Sequence, residues 1–122
     1  QASFSPPGLS IAVAKDRSVE SLLQIGDSFA LNILSEKDFK EPLKRFTKPF
    51  APGEDRFESL DISLTPNEQI IIPESLAWLE ASVKERMECG DHWVIYAEVI
   101  HGNILKSDSL TAVHHRKTGA SY

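Results

Sequence analysis

One cysteine is too few for an internal disulfide, so Cys89 leaves this fold to be held by packing alone. Nothing else in the 122 residues points to an oxidising compartment, and an intracellular, cytoplasmic setting is expected. No apolar run approaches the roughly 20 residues that a membrane-spanning helix needs. The opening Gln1-Ala2-Ser3-Phe4 has no basic region ahead of an apolar stretch, so a signal peptide is not expected either. Positive charge is scarce as well. Thirteen Lys and Arg against eighteen Asp and Glu leave a net charge of -5, a field that repels nucleic acid and anionic lipid. Any phosphate must therefore be held by local groups. Internal repeats and low-complexity segments are also missing, which leaves one domain over residues 1–122 as the default. The chain opens without Met, inside a mixture that reads like the end of a strand, as a fragment of a larger protein would.

What is present is the balance of a globular domain, 41% hydrophobic and 25% charged residues. Residues 9–14, Leu-Ser-Ile-Ala-Val-Ala, follow Pro6-Pro7-Gly8 and predict a strand. From Ser18, a candidate N-cap, Val19, Leu22, Leu23 and Ile25 form a stripe ending at Gly26, which predicts a short amphipathic helix. Phe29, Leu31 and Ile33 then alternate with small or polar neighbours as in a half-buried strand. A second helix starts at Ser35 or Asp38, with Phe39, Leu43 and Phe46 on one face and Pro42 in or near its first turn. Residues 48–55 read as a loop with Phe50 packed inward, and residues 60–72 as short extended pieces around Ile70-Ile71-Ile72.

Two long strands follow, at 76–87 and 92–105, joined through Glu88-Cys89-Gly90-Asp91, where Gly90 relieves the steric limit on positive φ. A last strand is expected at 110–115. Short strands, long antiparallel hairpins and no βαβ rhythm favour a small barrel over a doubly wound sheet. Open edges rich in Val, Ile and aromatics would need cover, and a second copy could supply it.

The residues that carry chemistry are few. Cys89 and His92 make a Cys-x-x-His pair with no second pair suitably spaced, so no metal is expected in this domain. Adjacent His114 and His115 on a strand would point to opposite faces and could not chelate one ion. No Ser-His-Asp arrangement can be inferred from spacing. Trp78, Trp93 and Tyr96 suit a core or an interface better than a ligand.

The string Ser3-Phe4-Ser5-Pro6-Pro7 resembles the Ser-Phe-x-Pro-Pro segment of flavin reductases of the FMN-binding split-barrel class. The likeness runs on through residues 27–34, the loop 50–57 and Cys89-Gly90-Asp91-His92-Trp93, in family order. Phe50-Ala51-Pro52-Gly53-Glu54-Asp55-Arg56-Phe57, with the ending Ala112-Val113-His114-His115-Arg116-Lys117, is similar to the reductase module of cyanobacterial flavodiiron proteins. The resemblance implies a mainly β fold with short α-helices, an antiparallel split β-barrel lacking its first strands. It also implies bound FMN, NADH or NADPH as electron donor, and onward transfer to a flavodiiron core in the same polypeptide that reduces dioxygen to water. No diiron-ligand pattern occurs in this chain. The other reading is a non-catalytic split-barrel module that binds flavin or holds a homodimer together.

By the family pattern, Ser3, Phe4, Ser5, Pro6 and Pro7 lie along the flavin ring or ribityl chain. Lys15, Arg17 and Ser18 stand where a strand hands over to a helix N-terminus, as a phosphate would require, or are solvated charges beside a capping serine. His92 is placed near flavin and nicotinamide, where it would position rather than react, since hydride transfer is cofactor chemistry, or is a strand-end histidine hydrogen-bonded to the turn with Asp91 as partner. Arg116 is a further candidate for a dinucleotide phosphate, and Lys117 reads as solvated.

Overall fold

The computed structural model describes residues 1–49, 51 and 53–112. β1 (Ser3–Phe4) turns through a cis Ser5–Pro6 bond into β2 (Pro7–Ala14), which extends the expected first strand by two residues at its start. β3 (Ser28–Leu34) follows, then α1 (Lys40–Thr47), the small pair β4 (Ser63–Leu64) and β5 (Ile70–Ile71), and the long hairpin of β6 (Ser75–Cys89) and β7 (His92–Ile104). The main sheet is antiparallel, in the order β1-β2-β7-β6-β3.

The hairpin dominates because its sequence alternates over a long stretch and its turn is tight. Only Gly90 and Asp91 separate the strands, and Gly90 takes a φ of +59°, a conformation that L side chains rarely adopt. Register shifts between Glu80 and Ala81 and between Val83 and Glu85 bend β6 against β7. On one face Leu9, Ala81 and Ala97 are buried with Leu79 and Val99, and Leu23, Val83 and Ile95 with Val13 and Trp93. Ile11 and Phe29 pack against both groups and join them into one core. Gly8 is needed for contact: a Cβ there would lie 2.6 Å from a ring carbon of Tyr96.

Both helices differ from the expectation. The first is a five-residue 3₁₀ turn, Ser18–Leu22, whose N-cap is Arg17 and whose start has no side-chain cap, so Ser18 caps nothing. Its stripe does not form a buried face: Val19, Leu22 and Ile25 are exposed, and only Leu23, just beyond the turn, reaches the core. The second helix begins at Lys40 because Ser35 and Asp38 engage each other instead. The Asp38 amide donates to Ser35 Oγ at 3.0 Å, and Ser35 Oγ donates to Asp38 Oδ2 at 2.9 Å. Pro42 does fall in the first turn, and it is buried. At the C-terminal end of the described residues the predicted last strand is represented by a bridge from Thr111 to Ser35. Phe50 and residues 113–115 lie outside the described residues.

The face of β6 opposite the core holds a conflict. Glu80 is fully buried, and neither carboxylate oxygen has a hydrogen-bond partner among the described residues. An unsatisfied buried acceptor costs about 1–3 kcal/mol, so Glu80→Met is expected to raise stability by about that amount in urea denaturation. A fall in the midpoint would mean that the carboxylate has a favourable partner.

Candidate functional site

The end of β2 and the tip of the long hairpin meet at one corner of the sheet. Ala14, the last residue of β2, pairs with His92, and Cys89 pairs with His92 from the other side. His92 therefore opens β7 between two strands, with its side chain 44% exposed. Its Nδ1 lies 2.8 Å from Asp91 Oδ1, which leaves Nε2 for a ligand. The hydrogen bond from His92, followed by the charges of His92 and Lys15 and a backbone contact, holds the Asp91 carboxyl below its usual range.

Lys15 is the next residue after β2. Its amide donates to the Asp91 carbonyl at 2.9 Å, and its ammonium pairs with Glu88 and lies 5.2 Å from the centre of the Trp93 ring. Lys15 in turn holds the Glu88 carboxyl below the usual range, through the hydrogen bond first and its charge second. Arg86 approaches the same ring at 4.5 Å and pairs with Glu20 of the 3₁₀ turn. Sequence reasoning set Trp93 aside as an anchor and missed Arg86, Glu20 and Glu88. Only the register, which puts Glu88 and Val13 opposite Trp93, brings them together.

The expected site residues fall into two groups that the chain keeps apart. His92, Lys15, Arg17 and Ser18 belong to the corner. Ser3, Phe4, Ser5, Pro6 and Pro7 belong to the β1–β2 turn at the other end of β2. Seven residue steps at about 3.3 Å each put the two ends roughly 23 Å apart along the strand, too far for one isoalloxazine ring to touch both within one chain. β2 runs unbroken between the two groups, so the residues expected along the ring or ribityl chain and those expected at the phosphate stand at its opposite ends. Lys15 is paired through its ammonium with Glu88. Arg17 has 76% of its side chain exposed, with Asp16 as its ion-pair partner among the described residues, at 4.0 Å. At the turn, Phe4 is 87% exposed, a flat apolar surface flanked by the hydroxyls of Ser3 and Ser5. Arg116 lies outside the described residues.

A separate cleft of about 480 Å³ lies between α1 and residues 54–60, lined among others by Lys44, Arg45, Glu58 and Glu74. It includes none of the expected site residues, and Arg45 is spent on the carbonyls of Arg56 and Glu58. Among the described residues no group of three His, Cys, Asp or Glu is placed to hold a metal, and no helix is long and apolar enough to cross a membrane.

Known proteins carry the same arrangement of strands. Diflavin flavoprotein A 1 of Synechocystis is 51% identical over the whole of this chain, which covers 21% of that protein. The chain thus spans about one-fifth of the length of the curated relatives it matches. The NADH:FAD oxidoreductase of Streptomyces globisporus superposes with a TM-score of 0.75 at 27% identity, over 90% of this chain and 65% of that one. Flavin reductase HpaC, solved with NADP+, shares the fold at a TM-score of 0.72 and 23% identity, over 87% of this chain and 65% of its own. The antiparallel sheet is of the split-barrel kind that the sequence implied, and residues 1–120 match the flavin reductase like domain, the family to which this chain belongs.

Proposed function

We propose that this chain is the reductase module of a longer cytoplasmic flavodiiron protein. It binds FMN, takes hydride from NADH or NADPH, and delivers electrons to a flavodiiron core that reduces dioxygen to water. The observation that carries the reading is the Gly90-Asp91-His92 corner, where a tight turn and a 2.8 Å contact hold an exposed imidazole at the rim of the sheet. Support comes from the relatives called diflavin flavoproteins and from the NADH:FAD oxidoreductase likeness.

Bound flavin supplies the hydride acceptor and the one-electron steps onward. This chain supplies binding and orientation. His92 positions the nicotinamide. Arg17 and Ser18 offer a cation and a hydroxyl beside it, Phe4 offers a wall for the ring, and Ser3, Ser5, Pro6 and Pro7 shape that wall. Phe4 and His92 stand toward opposite ends of β2, and a homodimer would offer one flavin the Phe4 of one subunit and the His92 of the other.

The test is NAD(P)H oxidation by the protein with and without FMN, and with one His92 variant and one Phe4 variant mixed as subunits. A flavin-dependent rate that is restored in the mixed dimer is expected. No flavin-dependent rate, with intact oligomers, would leave the non-catalytic dimerisation module as the better reading.

A further inference from the structure

We infer that Lys15 is a positioning residue for His92, an inference that rests on the nicotinamide reading of the corner. The hairpin tip has little else to hold it. Cys89, Gly90 and Asp91 are all exposed, and the ladder ends at His92. Lys15 fastens this tip at three points. Its amide holds the Asp91 carbonyl, its ammonium holds Glu88 on the opposite arm of the hairpin, and the same charge lies 5.2 Å from the centre of the ring of Trp93, the neighbour of His92. Asp91 then holds the imidazole. The chain of contact runs from the end of β2 to the ring that faces the ligand.

Stability is not what such a pair provides. Glu88 is 67% exposed and Lys15 32%, and exposed ion pairs contribute little to folding. Geometry is what it can set, because small misplacements of a positioning group are costly in rate. Lys15 is paired with Glu88, whereas Arg17 has a 4.0 Å contact to Asp16. The other charged groups at the corner, Arg86 and Glu20, already pair with each other.

Lys15→Met keeps the backbone amide and an apolar stem but removes the ammonium. The expected result is a kcat for NADH or NADPH oxidation lowered about tenfold, with KM and the FMN dissociation constant each within about twofold, and recovery in Lys15→Arg. Glu88→Gln, which cuts the same link from its exposed end, is expected to repeat the kcat change. A readout independent of turnover is the pair of imidazole 15N shifts of His92, which report its Nδ1 hydrogen bond; they are expected to move in Lys15→Met and return in Lys15→Arg. Unchanged shifts in both Lys15→Met and Glu88→Gln would overturn the inference, whether or not the protein turns over. So would a defect confined to FMN affinity. A wild-type protein without NAD(P)H oxidation would sink the reductase reading instead, and the shifts would still decide the role of Lys15.

Discussion

His92→Ala is expected to lower kcat/KM for the nicotinamide donor about a hundredfold, a loss of roughly 2.7 kcal/mol of transition-state stabilisation. Hydride transfer needs no protein nucleophile, so the chain's contribution is to bring donor and acceptor within about 3–3.5 Å in the right orientation. The imidazole is suited to that because its ring is fixed before the ligand arrives: Asp91 takes Nδ1, and β2 and β6 flank the backbone. His92→Asn, which keeps a short polar group without reaching as far, is expected to fall between wild type and alanine. Steady-state rates with both donors check this, and an alanine variant within about twofold of wild type would remove His92 from the site.

The acidity of Asp91 gives that experiment a second edge. A carboxyl whose pKa is depressed on folding contributes stability above the unfolded value, near 3.8, and loses it as the pH falls through the lower folded value. Across roughly pH 5 to 8 Asp91 therefore stays ionised and remains an acceptor for His92. No limb of the pH profile in that window belongs to Asp91.

The long hairpin was legible because alternation over a dozen residues has one simple solution, and because Gly90 sits where a tight turn needs positive φ. Position within the hairpin was less so. Alternation put Trp78, Glu80, Ser82 and Lys84 on one face, and so they are, but the face changes from buried at Trp78 and Glu80 to exposed at Lys84. Nothing in a local pattern says where cover ends. The 3₁₀ turn was read as an amphipathic helix because Val19, Leu22 and Ile25 have helical spacing, yet five residues are too few to complete a buried face. The site residues were grouped by the family resemblance, which carries no distances; how far apart they stand is set by β2, which is extended throughout.

Ile95→Ala is expected to cost about 2–5 kcal/mol, against the 5–15 kcal/mol that holds a typical domain together. Ile95 is the largest fully buried side chain among the described residues and has no exposed surface. It sits on the central strand β7, opposite Ile11 of β2 and Arg86 of β6, and packs with Leu23 and Val83. No neighbour can close the gap cheaply, because each comes from a different element: Leu23 from beyond the 3₁₀ turn, Val83 from β6 next to a bulge, Ile11 from β2. The cavity term therefore stays close to its full value. Ile95→Val should cost only about 0.5–1.5 kcal/mol, and Ile104→Ala, at a residue 67% exposed, about 0.5 kcal/mol or less. Trp93 packs on the same cluster, so its fluorescence should report the loosening in Ile95→Ala and stay unchanged in Ile104→Ala. Equal losses in the two alanine variants, measured by chemical denaturation, would mean that Ile95 does not sit at the centre of this core.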